Sequence, residues 1–511
     1  MNVKSLLSPW LGVVLAAVVL AATVSCSSSS NDEGAGPATS SSSAHAAGGT
    51  LVWSPCALPG QPKRQCGTVQ VPVDPEKPKG QKMGIAISRL PAAKESERIG
   101  VLMWASGVPG LSGLYVPAPL LPSELSDRFD LIGFDARGTG MSGAVKSCGN
   151  TPAALQRLEK VKDLGKAGDK GTLAEAARAY TDRCTKQLGH LAGHLGSRDV
   201  AHDVDAIRAA LGEEKVSLLM GSYGTMLAQA YLSMYPDRVR AAVLDGTLDP
   251  ATPGALATIE YSGAVGEAAS SLAGDEADRA TLRTLLSGFT LWCRAHKDAC
   301  PLHVDPLSGA EEAAGLRGKG GGKAARTKAV LQAASAAALL PDLWPDLARA
   351  LRTARDKGEV TALNEVAAGG VPKQFTDLQQ EQDLGYSLGV ICADFAWPDS
   401  AEGILDAYAK TGDSTAGSRA AAYLPCAGWP RPGEPLGALE GSPRITPLVI
   451  NGERDTLTGI KGAREAAKRL EAELVTFSGT SHVATATGVE CAQRAAAAYL
   501  ITGKAEDLPV C

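Results

Sequence analysis

The stretch Leu218–Pro236, LLMGSYGTMLAQAYLSMYP, decides how the chain is read. An apolar, strand-like run stops at Met220. A tight Gly-Ser-Tyr-Gly corner follows, and an amphipathic segment begins behind it. A lone serine between glycines at such a corner has two readings. It is a plain strand-to-helix turn, or the sharp turn exposes Ser222 as a nucleophile at a helix N-terminus that favours developing negative charge. The usual pattern for the second reading is Gly-x-Ser-x-Gly, and Met220 takes the place of its first glycine.

Working outward, GTVQVPVDP (67–75) and GQKMGIAISRL (80–90) read as a strand pair with Pro/Gly punctuation. IGVLMWASGVPGLSG (99–113) is a buried strand entering a Gly/Pro-rich loop, and RFDLIGFDARGTGMSG (128–143) repeats that form. In SRDVAHDVDAIRAALG (197–212), Val200, Val204, Ile207 and Leu211 share one helical face. VRAAVLDGTLDP (239–250) is another strand with a turn. Strands alternating with helices predict a mostly parallel α/β sheet. From about Ile259 to near Pro432 the segments are Ala-, Leu- and Arg-rich and helical, with no strand between them. ITPLVINGERDTLTG (445–459) restores a buried strand, followed by a helix, the strand and loop LVTFSGTSHV (474–483), and a last helix. This divides the chain into core (51–258), helical cap (259–432) and core again (433–511).

The 511 residues suffice for a large core plus an insertion, and 44% apolar with 21% charged residues describe a globular protein. A net charge of −5 without a long basic run argues against a nucleic-acid partner. The N-terminal run LLSPWLGVVLAAVVLAATVSC behind Lys4 has the form of an export signal over residues 1–26. A Ser/Gly-rich tether spans 27–50. A cysteine after small residues and before such a tether resembles a bacterial lipoprotein processing site, with Cys26 as the lipidated residue. Thr23 stands where that site usually has leucine, so plain secretion is the alternative. Ten further cysteines in an exported chain favour disulfides, and pairing neighbours in order closes the shortest loops: Cys56–Cys66, Cys148–Cys184, Cys293–Cys300, Cys392–Cys426 and Cys491–Cys511.

Serine is a weak nucleophile until a base takes its proton. His482 lies in the loop after the last strand, and Asp455 just past the strand before it. The chain order Ser222, Asp455, His482 is that of a Ser-Asp-His triad on an α/β sheet. Asp245 and Asp249 in VLDGTLDP are second choices for the acid, with turn bracing as their default role. The oxyanion needs two N–H donors. One is expected from Tyr223, the other from the ASGVPGLSG loop at Val108. His190 and His194 in HLAGH lack the glutamate of a zinc motif, and the glycines around Gly318–Lys323 lack the spacing of a phosphate cradle.

Several blocks together, SGVPG, FDARGTGMS, MGSYGTMLAQAYLSMYPDRV, VLDGTLDP and NGERDTLTG…SHV, resemble the secreted tripeptidyl aminopeptidase-like branch of the α/β-hydrolases, related to prolyl iminopeptidases. The resemblance runs from about Leu51 to Cys511 and is weakest in the cap. It implies an α/β-hydrolase fold with a helical cap insertion. It further implies a serine exopeptidase releasing di- or tripeptides from free N-termini, with Ser222 as nucleophile, His482 as base and Asp455 orienting it. Val108 and Tyr223 would supply the oxyanion N–H groups. Acidic cap residues would hold the substrate amine, with Asp377, Glu381 and Asp383 as candidates. No metal or organic cofactor is needed, and a monomer acting on a peptide is expected. Three departures stand out: Val108, Met220 and Ser481 each replace a glycine of the family pattern. If the loop needs positive φ, Val108 is strained there, and Met220 crowds a turn that prefers no side chain; slowed hydrolysis, a changed substrate or lost activity would follow. An esterase using the same triad, or a lipoprotein that only binds in the old cleft, are the competing readings.

Overall fold

The computed structural model describes residues 51–511, except 57–63, 115, 117–120, 144–147, 150, 159–160, 162–163, 165–167, 261–278, 280–281, 283–284, 318–322, 340–342, 370–383, 412–415, 431–432, 439–441, 456, 480, 507 and 510. The expectations for Cys26, the tether, Asp377, Glu381, Asp383 and the glycine run at 318–322 fall outside the described residues.

The framework is one nine-stranded sheet in the order β1-β2-β3-β5-β4-β6-β7-β8-β9. The strands are β1 (Ser54–Pro55), β2 (Gln65–Pro72), β3 (Lys82–Leu90), β4 (Gly100–Trp104), β5 (Phe129–Phe134), β6 (Val216–Gly221), β7 (Val239–Asp245), β8 (Leu448–Gly452) and β9 (Glu473–Phe477). The first three pair antiparallel, and every neighbour pair from β5 through β9 is parallel. Strands β5 to β8 are almost wholly buried, which is why they read as continuous apolar runs rather than alternating ones.

Five helices position the residues discussed below: α1 (Ser197–Ala210), α2 (Gly224–Met234), α3 (Leu384–Asp394), α4 (Ile460–Leu470) and α5 (Glu490–Thr502). Helix α2 is buried along almost its whole length, so Ala228 and Ala230 let it lie close against the sheet. Helix α5 packs on the opposite face through Ala492, Ala496 and Leu500, in a core shared with Leu131, Val243 and Ile450. The chain leaves β4 toward β5 on one side and returns to β6 on the other. That reversal opens a crevice at the C-terminal ends of β4 and β6, the place where open α/β sheets bind ligands.

Between β7 and β8 the described residues are helical, with no strand. They form two sets with separate cores. Helices within Leu282–Val366 bury Phe289, Leu331, Leu351 and Leu363 among themselves. Residues 386–436 instead share the core of the sheet, through Ile391, Phe395, Trp397, Tyr408 and Trp429. The ten described cysteines pair as neighbours in order: Cys56–Cys66, Cys148–Cys184, Cys293–Cys300, Cys392–Cys426 and Cys491–Cys511. The fourth bridge ties α3 to the turn Leu424–Gly428. No described helix is long and apolar enough to cross a membrane.

Candidate active site

Ser222 occupies the corner between β6 and α2 at φ +54, a left-handed conformation uncommon for a residue with a side chain. Holding such a residue costs on the order of 1–3 kcal/mol, and the surroundings must impose it. Its N–H donates to the Asp245 carbonyl (2.9 Å), and its carbonyl accepts from the Thr225 N–H (2.9 Å) and hydroxyl (2.7 Å). The turn is therefore fixed from both sides. Gly221 has no room for a side chain, because a Cβ there would lie 2.6 Å from Val483 Cγ1.

That contact brings the chain at His482–Val483 against the chain at Gly221–Ser222. Ser222, Asp455 and His482 are 5%, 7% and 7% exposed, so all three are withdrawn from solvent. His482 Nδ1–H donates to Asp455 Oδ2 at 2.9 Å. Asp455 is held in turn by the N–H groups of Leu457 (2.8 Å) and Thr458 (3.1 Å) on Oδ1 and by the Thr458 hydroxyl (2.8 Å) on Oδ2. The Thr458 oxygen also stands 3.2 Å from His482 Nδ1. An Nδ1–H donated to the carboxylate sets the orientation of the ring, with Nε2 as its other nitrogen.

The second-choice acids go elsewhere. Asp245 Oδ1 accepts from Ala484 N–H (3.0 Å), and Oδ2 accepts from the Thr485 N–H and hydroxyl (both 2.7 Å). It therefore clamps the backbone just after His482. Burial pushes its carboxyl up to about 6, against the pull of those donors. Val483 sits at φ +53, an outlier for a β-branched residue, and this clamp holds it there. Asp249 braces a turn through Ala251 N–H (3.0 Å) and pairs with Arg469.

Two groups were not singled out from sequence. Gly246 lies at φ +68 beneath the imidazole, where a Cβ would be 3.0 Å from His482 Cε1. Thr458 bridges Asp455 and His482. The only signals for them are the glycine of VLDG and the threonine three residues after Asp455. His194 binds Asp199 Oδ1 (3.0 Å) and His202 the Tyr235 hydroxyl (2.6 Å). Among the described residues no group of three His, Cys, Asp or Glu side chains could hold a metal ion.

The expectations at the departures need correction. Val108 is not at positive φ, so the strain expected of it is absent. Met220 does not crowd the turn: it ends β6 with its side chain fully buried in the main core, and its Cβ is 3.8 Å from where a Gly224 Cβ would stand. The expected oxyanion donors are both engaged within the chain. Tyr223 N–H donates to Gly107 C=O at 3.1 Å, and Val108 N–H to Ser106 Oγ at 3.2 Å. Beside them an apolar cavity is lined by Ser106, Val108, Pro109, Tyr223, Tyr386 and Val390.

Two family models match, one described as alpha/beta hydrolase fold over residues 101–281 and one as TAP-like protein over residues 414–510. The chain has the α/β-hydrolase fold and carries a TAP-like C-terminal segment. It is 29% identical to the serine protease Hip1 of Mycobacterium tuberculosis over 88% of each chain. It is 28% identical to a tripeptidyl aminopeptidase of Streptomyces lividans, over 91% of this chain and 86% of that one. Carboxylesterase B of Mycobacterium tuberculosis is 27% identical over 86% and 84%. With these relatives and this fold, the chain is a peptidase-like serine hydrolase.

Proposed function

We propose that this hydrolase is an exported exopeptidase that releases di- or tripeptides from free N-termini, with Ser222 as nucleophile, His482 as base and Asp455 as the acid that orients it. The observation that carries the reading is the buried Asp455–His482 hydrogen bond, on a loop whose next residue, Val483, meets the strained strand-to-helix turn of Ser222 at Gly221. Ser222 Oγ attacks the scissile carbonyl while its proton passes to His482 Nε2. The imidazolium then returns that proton to the leaving amine, and an acyl-enzyme remains. Water attacks the acyl-enzyme with His482 again as base, and Ser222 regains its proton as the peptide acid leaves. The two tetrahedral states place negative charge on the carbonyl oxygen, for the N–H groups of Tyr223 and Val108. Similarity to a tripeptidyl aminopeptidase favours amide over ester substrates. Similarity to a carboxylesterase keeps ester hydrolysis as the second reading.

Export is supported by five disulfides, which persist in oxidising compartments. Anchoring through a lipidated Cys26 belongs to the same proposal. The experiment is fluorophosphonate labelling of the wild type beside Ser222→Ala and His482→Ala, followed by turnover of N-terminally free peptide amides and of short acyl esters. Labelling of the wild type alone, with steady amide turnover, is the expected result. Ester turnover without amide turnover sinks the exopeptidase reading, and no labelling of the folded wild type sinks the nucleophile assignment. In fractionated cells the labelled protein is expected with the membrane, and the Cys26→Ala form in the soluble fraction; a wild type found soluble rejects the anchor.

A further inference from the structure

The turn after β4 is held from three directions. Val108 C=O accepts from Leu111 N–H (3.1 Å), and Gly110 lies at φ +93 behind Pro109, the residue pairing of a type II turn. Helix α3 grips that corner: the Ser387 hydroxyl donates to Pro109 C=O at 2.8 Å, and the Tyr386 ring backs Gly110. On the side of the nucleophile, Gly107 presses onto the elbow, where a Cβ would lie 2.8 Å from Gly221 C=O and 3.0 Å from Ser222 Cβ. Its carbonyl takes the Tyr223 N–H, and the Val108 N–H is turned to Ser106 Oγ. The loop thus offers an acceptor at the point where a substrate oxyanion needs donors.

We propose that the oxyanion hole is self-occupied at rest, that it becomes competent when the Gly107–Val108 peptide turns over, and that Val108 holds the balance toward the closed arrangement. This rests on the reading of Ser222 as nucleophile. Turning one peptide unit changes ψ of the residue before it and φ of the residue after it, as between turn types I and II. Gly107 tolerates its share of that change without strain. Val108 does not. It is outside positive φ here, the turned-over peptide carries it to positive φ, and a β-branched side chain is disfavoured there. The same movement takes Gly107 C=O off Tyr223 N–H and releases Val108 N–H from Ser106. Pro109 stays pinned by Ser387, so the rotation is confined to the one peptide, and the cavity beside Val108 and Tyr386 leaves it room. A competent state populated as a small fraction slows every step that needs it by that fraction.

The test compares Val108→Gly and Val108→Ala with the wild type. The readouts are the rate of fluorophosphonate labelling, whose phosphoryl oxygen uses the same donors, and kcat and KM for a p-nitrophenyl ester and a peptide p-nitroanilide. Glycine removes the penalty for positive φ, so Val108→Gly is expected to raise labelling and kcat by about 5–30-fold. KM should move by no more than about twofold, because the oxyanion forms only in the transition state. Val108→Ala should fall between the two and keeps the test open if glycine loosens the fold. Wild-type labelling that both variants match or fall below overturns the proposal while leaving the nucleophile assignment intact. No labelling of any form refutes the nucleophile assignment, and this inference with it.

Discussion

Gly246→Ala tests whether the proposed base depends on the floor beneath it. Gly246 sits at φ +68, with its N–H on the Ile450 carbonyl at 2.9 Å, so its backbone cannot swing away freely. A Cβ on that backbone would stand 3.0 Å from His482 Cε1, 3.1 Å from His482 Nδ1 and 3.1 Å from Thr458 Oγ1, where ordinary contact begins at 3.4 Å. The ring and the hydroxyl must each yield by a few tenths of an ångström. The left-handed conformation costs alanine about 1–2 kcal/mol, and overpacking adds about 1–3 kcal/mol. A loss on the order of 2–5 kcal/mol in a urea titration is therefore expected. Displacement of a reacting group by about 1 Å costs on the order of a hundredfold, so this smaller shift should lower kcat about 10- to 100-fold with little change in KM. The measurement is kcat and KM well below the melting temperature of the variant. Gly459→Ala is the control, since that residue leads into α4 at φ −62 and a Cβ there meets nothing within 4 Å. A folded Gly246→Ala enzyme that keeps kcat within about twofold refutes the claim that the imidazole is sterically set from below.

Two further substitutions probe the groups around the base. Thr458→Val removes the hydroxyl bond to Asp455 Oδ2, a bond to a charged acceptor worth about 1.5–3 kcal/mol; kcat/KM should drop about tenfold, and Thr458→Ser should recover most of it. Equal rates for valine and wild type would remove Thr458 from the site's support. Asp245→Asn puts an amide against the Thr485 and Ala484 donors and should loosen the loop that carries His482, lowering both stability and kcat. Its pH dependence has a definite sign. The carboxyl is raised from 3.8 to about 6 when folded, so this group's stability is fully present below 3.8 and lost as pH rises through about 6. That loss is about two units, or on the order of 3 kcal/mol. The gap in unfolding free energy between wild type and Asp245→Asn should therefore narrow from pH 4.5 to pH 7.5; a constant gap contradicts the raised value.

The order of the fold was legible because each core strand is short, apolar and followed by its own turn signal, and β6 with α2 fits only a strand-to-helix corner. The disulfide pairs were legible because each closes a local loop. Pattern ranked Asp455 above Asp245 without deciding between them, since Asp245 ends one buried strand and Asp455 lies three residues past another. What separates them is partners distant in sequence: Ala484 and Thr485 meet Asp245, while His482 meets Asp455. The same holds for the insertion. Its two halves are alike in composition, and only packing reveals that Leu282–Val366 forms a core of its own while 386–436 joins the sheet. Gly246 was hidden because a glycine in a turn reports its freedom and not the ring that needs the space.

The three departures from the glycine pattern have unequal consequences, and geometry explains the difference. Met220 is still part of β6, and its side chain points into the core; the positive φ of the elbow falls two residues later, on Ser222. A glycine at 220 would add freedom where the chain needs none. Ser481 is buried and outside positive φ, and the strain of that loop sits on Val483, which the Asp245 clamp offsets. Both positions therefore accept a side chain in the conformation that they keep throughout. Val108 is also unstrained at rest, yet of the three it alone adjoins the peptide whose carbonyl takes the N–H of Tyr223, the proposed oxyanion donor. Its side chain acts on a conformation the loop must visit and not on the one it occupies. A stability measurement alone will consequently miss the effect of Val108, whereas a rate that depends on the transition-state oxyanion will register it.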